Sequence, residues 1–179
     1  PPRDDDSRFA ASLIATVASG LGGRFFDELR DRQSLAYTVH AGASEKRLAG
    51  VFASYIATSP EKEELARAGL LAEFEKLRAE PVSEEELMQA KEYTMGSHAI
   101  SQELGSTLLA EMLDAWMFGT GLYEITEYEG RVRGVTAQQM REVADVFVGM
   151  HDFASFSADE PGTFTGQCAE FCGLEHGRM

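Results

Sequence analysis

Gly20-Leu21-Gly22-Gly23-Arg24-Phe25-Phe26-Asp27-Glu28-Leu29-Arg30-Asp31-Arg32-Gln33-Ser34-Leu35-Ala36-Tyr37 is the stretch on which the fold turns. Three glycines within four positions end a helix or make a tight turn, because glycine alone takes positive φ without penalty. Behind them Phe25, Phe26 and Leu29 recur at helical spacing, with Asp27, Glu28, Arg30 and Asp31 around the rest. From Leu35 to Ala43 the pattern changes to the alternation of a half-buried strand. The order is glycine turn, short charged helix, strand. Arg30 falls near the helix end and Tyr37 at the strand start. A guanidinium and a phenol are both hydrogen-bond donors able to grip a carbonyl oxygen or an oxyanion.

Upstream, Asp4-Asp5-Asp6-Ser7 offers N-caps to a helix with Phe9, Leu13, Ile14 and Val17 on one face, ending at Gly20. Downstream, the polar run Ser44 to Arg47 separates the first strand from a second at Gly50–Thr58, and the two form a hairpin-like pair. Ser59-Pro60 starts a helix, Ser59 as its N-cap and Pro60 in its first turn, that runs to about Arg78, with Leu65, Ala68, Leu71, Phe74 and Leu77 as its apolar stripe. Ser83 and Glu86 have capping-box spacing and open a long tract through Leu87, Ala90 and Tyr93, followed by a second segment over Leu104–Trp116. His98 reads as a solvated or core-edge histidine, and Met112, Trp116, Met117 and Phe118 read as core. Gly119-Thr120-Gly121 breaks the tract, Tyr123–Val132 is a further short helix, and Thr136 caps a last one through Val148. The fold class expected is α+β, with helices packed on one face of a mostly antiparallel sheet.

The chain has 179 residues, enough for one sizeable core or one domain with an appendage. Thirty acids against 16 bases give a net charge of −14, which argues against nucleic acid or an anionic membrane as partner. No apolar run approaches the ~20 residues of a membrane span, and Pro1 to Asp6 does not read as a signal peptide; the compartment stays open. The two cysteines, Cys168 and Cys172, exclude a disulfide framework and leave one local pair, two thiols or one metal site.

The opening stretch resembles the C-terminal-type domain of the insulinase/pitrilysin metallopeptidases, the inverzincins. Their matching segment reads roughly G-x-x-S-R-x-F-x-E-L-R-x-x-x-x-L-A-Y. Gly23 to Arg30 and Leu35-Ala36-Tyr37 carry the likeness, which extends loosely from Asp5 to Val148. The resemblance implies an α/β sandwich whose first strand is missing here. It also implies that Arg30 and Tyr37, seven apart, clamp the substrate carbonyl and its transition state while zinc sits on another domain. The alternative for these two is local: Arg30 paired with Asp27 or Glu28, and Tyr37 a strand aromatic. The family's zinc motif, H-x-x-E-H, has no counterpart, since His40, His98, His151 and His176 lie far apart. Residues 1–150 are therefore expected to be a non-zinc half. Such a half takes no cofactor of its own, is inactive alone, and needs a zinc-bearing peptidase domain or subunit and a peptide substrate. A purely structural interaction domain is the plainer reading.

Residues 151–179 form a second unit with a different likeness. Gly166-Gln167-Cys168-Ala169-Glu170-Phe171-Cys172 and His176 and Met179 resemble the dinuclear copper loop, CuA, of cytochrome c oxidase subunit II over about residues 154–179. That resemblance implies that Cys168 and Cys172 bridge two coppers, that His176 and Met179 ligate, and that Glu170 gives its backbone carbonyl. Soft thiolate and thioether donors suit copper. The pattern departs: the upstream histidine ligand would fall near Arg133, where there is none, with His151 the nearest at the wrong spacing, and most of the cupredoxin barrel that carries the loop in that family is absent. The expectation is a composite chain whose tail holds one copper(I), or zinc as its substitute, and no stable copper pair.

Overall fold

A computed structural model describes residues 5–20, 22–45 and 50–149. Helix α1 spans Ser7–Ser19 and is started by the Asp5 carboxylate, which accepts from the Ser7 backbone N–H at 2.8 Å. That bond holds the Asp5 carboxyl below its ordinary range. Phe9, Ala10, Leu13, Ile14 and Val17 are all buried, so α1 is the central helix rather than a surface one. The strands are β1, Thr38–Glu45, and β2, Gly50–Ala57, antiparallel, with Val39 opposite Ile56 and Ala41 opposite Ser54. Among the described residues the sheet has these two strands.

The helices cover one face of that sheet. Val39 and Ala41 are buried and Phe52 and Ile56 pack with them, while Thr38, His40, Val51, Ala53 and Tyr55 face outward. The Ser19 hydroxyl donates to the Ala41 carbonyl at 3.0 Å and fixes the end of α1 on β1. After a short 3-10 turn at Pro60–Lys62 come α2, Glu63–Ala79, and α3, Glu84–Gln102; then α4, Gly105–Phe118, α5, Tyr123–Gly134, and α6, Ala137–Gly149. The larger core joins α1 to α3, α5 and α6; the smaller joins Phe25, Leu29, Leu35, Val39 and Leu70. Phe74 of α2 stands between them, edge-on to Phe25 at 5.3 Å and to Phe52 at 5.6 Å. The α+β architecture with helices on one face is thus the one observed.

The capping box read at Ser83 is present, and the cap read at Thr136 is a second one. Ser83 and Glu86 exchange both bonds at the start of α3, and Thr136 and Gln139 do the same before α6. Gly119, at φ +76°, makes the left-handed stop expected of the Gly119–Gly121 break.

Four expectations are corrected. The strand begins at Thr38, not Leu35, because Leu35 is buried beside Leu29 beneath α2. Ser59 makes no side-chain cap; the chain enters α2 through the 3-10 turn. The buried line of α2 is Ala66, Leu70, Glu73 and Leu77, with Leu65 exposed. That is because α2 lies between a π-helical turn at Phe26–Arg32 and α6, and turns its inner line toward both. Finally, Met112, Trp116 and Met117 are not core. Only Ala115 of α4 is buried, and these three face outward, because α3 and α5 hold α4 by one narrow edge.

Candidate functional site

The glycine turn places the site. Gly22 sits at φ +76°, and Gly23 is buried so tightly that a Cβ there would lie 2.8–2.9 Å from the carbonyl oxygens of Val17, Ala18 and Gly20. No larger residue fits without moving backbone. Arg24 then locks the turn to the start of α3: its Nε and Nη2 donate to the two Glu86 carboxylate oxygens at 2.8 and 2.9 Å. This bidentate pair, helped by the Ser83 backbone N–H, pulls the Glu86 carboxyl down to about 2.

From Phe26 to Arg32 the chain forms a π-helical turn, where a short α-helix was expected. The Gln33 N–H reaches the Glu28 carbonyl at 3.0 Å, five residues back, and the Leu35 N–H reaches that of Leu29 at 2.8 Å. The wider turn lets Phe25, Leu29 and Leu35 all be buried on one side. Gly69 of α2 makes room, since a Cβ there would meet Leu29 Cδ2 at 2.8 Å. Ser34, with φ of 50°, turns the chain out of the helix toward Tyr37.

The two sequence-predicted residues come together. The Arg30 guanidinium carbon lies 4.9 Å from the Tyr37 ring centroid and 5.2 Å from that of Phe26, so the cation rests on two aromatic faces. Its nearest carboxylate is Asp31, at 3.8 Å. Glu28, the local alternative, is taken by Gln33 at 2.9 Å and Arg32 at 3.0 Å, and those bonds hold its carboxyl below the ordinary range. Among the described residues no hydrogen bond engages the Arg30 Nη atoms or the Tyr37 hydroxyl, and Tyr37 is 80% exposed. Beside them an open groove of ≈ 360 Å³ is lined by Ser34, Tyr37, Thr58 and Lys62 among others. Lys62 Nζ donates to the Ser34 carbonyl at 2.9 Å and adds a second cation. The arrangement offers two free donors and local positive charge on a chain of net charge −14.

Sequence reading missed a second polar cluster. Arg8 is 7% exposed and pairs with Glu124 at 2.9 Å and Glu45 at 3.4 Å, while the Thr120 hydroxyl donates to Glu124. It ties α1, β1 and α5 together. Arg8 directly precedes the apolar face of α1, so nothing in the local pattern marks it as buried. His98 stacks on Tyr128 at 3.8 Å and meets Glu111 at 3.1 Å, linking α3, α4 and α5. Among the described residues no three His, Cys, Asp or Glu side chains gather into a metal-sized group. Cys168, Glu170, Cys172, His176 and Met179 lie outside the described residues, as does the boundary between the two expected units.

Comparison with known proteins covers both sequence and fold. The family model described as the peptidase M16 inactive domain matches residues 1–93. An uncharacterized zinc protease of Rickettsia felis is 32% identical over 96 residues, which are 53% of this chain and 23% of that protein. The chain thus matches about a quarter of that relative's length. The peptidase M16 inactive domain of Pseudomonas fluorescens superposes with a TM-score of 0.73 at 21% identity, over 81% of this chain and 35% of that one. The inactive peptidase domain of a zinc protease homologue from Bordetella parapertussis gives 0.70 at 19%, over 83% and 81%.

Proposed function

Because the chain belongs to the peptidase M16 inactive-domain family, we propose that it is the substrate-binding, chamber-closing half of a zinc peptidase, with Arg30 and Tyr37 clamping the substrate carbonyl. The observation that carries this reading is the Arg30 guanidinium seated on the Phe26 and Tyr37 rings with its Nη donors free. Those donors and the Tyr37 hydroxyl would hydrogen-bond to a peptide carbonyl oxygen and hold it as negative charge develops there. Zinc, carried by the partner domain, supplies the activated water and the Lewis acid. This chain's share is to bind, orient and stabilise. Lys62 and the groove beside Tyr37 would seat the flanking peptide.

The test is reconstitution with a zinc-bearing M16 domain. Neither that domain nor this chain alone should turn over a fluorogenic peptide, and the mixture should. Cleavage by this chain alone, abolished by a chelator, would contradict the proposal.

The tail is a separate proposal that rests on its sequence alone. Cys168, Cys172, His176 and Met179 are donors at spacings of four, four and three, which suits one soft ion without a surrounding barrel. We expect one copper(I) or zinc per chain after anaerobic loading, with Cys168→Ser abolishing it. Two coppers with a seven-line mixed-valence resonance would show a complete pair and contradict the single-ion expectation.

A further inference from the structure

The groove beside Tyr37 is walled by two segments bonded to each other. Lys62 Nζ donates to the Ser34 carbonyl at 2.9 Å, and the Thr58 hydroxyl donates to the Leu35 carbonyl at 2.6 Å. The chain entering β1 is thus tied to the chain leaving β2 at two successive residues. Ser34, a non-glycine residue at φ 50°, is held in the left-handed region, a strained conformation that persists where neighbours over-determine it. The opening of ≈ 360 Å³ falls at the lower end of ordinary ligand clefts, roughly 300–1,000 Å³.

The lining carries charge of one sign. Lys62 is its ammonium, the hydroxyls of Ser34, Tyr37, Thr58 and Ser59 surround it, and no carboxylate is among the lining residues. An ammonium has three donors, and one is used on Ser34, so two remain for a ligand. The neighbouring acids are engaged elsewhere. Glu61 folds back on its own turn, where its own backbone N–H and then the Ser59 hydroxyl hold its carboxyl below the ordinary range. Glu64 pairs with Arg67 at 2.8 Å, and Asp31 lies 3.8 Å from Arg30 Nε. Glu63 stands exposed in the first turn of α2. The net charge of −14 acts from further off, and charges beyond about 8 Å are largely screened at physiological salt. Contact with Lys62 outweighs that distant field.

We infer that this groove is a carboxylate subsite, which seats an acidic side chain or the C-terminal carboxylate of a peptide on Lys62 Nζ. The inference rests on the clamp reading in two respects: the ligand is an extended peptide, and the acid lies next to the gripped carbonyl. Tyr37 joins the two places, since it lines the groove and carries the Arg30 guanidinium on its ring. Every residue of a peptide has a carbonyl, so Arg30 and Tyr37 cannot select among sequences. Lys62 is the residue that does.

Aspartate is walked through each position of an otherwise uncharged seven-residue peptide, blocked at both ends and carrying a neutral dye. Binding to the full chain is followed by fluorescence anisotropy. A second set has asparagine in place of aspartate, and a third has asparagine with a free C-terminal carboxylate. Expected is a tightening of about fivefold at one aspartate position or with the free C-terminus, the size of one charge-assisted hydrogen bond in an open groove, eroded by salt. The set that responds identifies the source of the carboxylate. Lys62→Met should abolish the preference and Lys62→Arg should keep it. Lys62→Glu should turn it into a preference for a lysine-bearing peptide, a gain that a damaged groove would not show. Equal affinity for acid and amide peptides throughout, a preference that survives Lys62→Met, or no binding of any peptide would overturn the subsite. Arg30→Ala should weaken acid and amide peptides alike. A Lys62-dependent preference with affinity untouched by Arg30→Ala would instead remove the clamp and leave the subsite standing.

Discussion

At the residue scale the site depends on a few positions with no substitute. Gly23 is one of them, because its surroundings are three backbone carbonyls rather than side chains that can swing aside. Gly23→Ala should cost about 2–3 kcal/mol, or roughly 5–10 °C in thermal melting. Gly96→Ala, in the interior of α3 with open space around it, should not destabilise. Equal melting of the two variants would remove the steric argument. The Arg24–Glu86 pair makes a pH prediction. The Glu86 carboxyl is depressed from 4.5 to about 2, so its contribution is complete above about pH 4.5 and is lost as pH falls toward 2. The pair is about one-third exposed, and after screening it is worth about 1–2 kcal/mol. In urea melts the deficit of Glu86→Gln should therefore be full at pH 7 and shrink between pH 4.5 and 2. A deficit constant across that range would show that the cap alone, and not the ion pair, sets it.

At the element scale, local chemistry was readable and tertiary burial was not. The glycine turn, the hairpin, both capping boxes and the Gly119 stop come from what single residues can do with their own backbone. The seven-residue spacing of Arg30 and Tyr37 was readable too, through its resemblance to a family motif. The π-helical turn was not. Phe25, Phe26 and Leu29 have ordinary helical spacing, and the extra width answers a demand from outside, the need to bury Leu29 and Leu35 together under Gly69. The same holds for α4. Its leucines, methionines and tryptophan are what a core helix carries, and only the placement of α3 and α5 shows that one edge is covered. Arg8 fails in the opposite sense, a cation that looks exposed and is buried because Glu45 and Glu124 arrive from distant segments.

At the scale of the whole molecule, the donors proposed to grip a carbonyl stand on the turn after α1, and the exposed apolar side chains of α4 lie on a separate element. No helix among the described residues is long and apolar enough to cross a membrane. The central claim is that this half contributes catalysis to a zinc-bearing partner through two side chains. Its most direct test is kcat/KM for peptide cleavage by the reconstituted pair, with wild type, Arg30→Ala and Tyr37→Phe compared at equal complex formation. The clamp predicts a loss of about 10²–10³ for Arg30→Ala and a substantial loss for Tyr37→Phe, both in kcat. Unchanged turnover in both variants, with the complex intact, would contradict it.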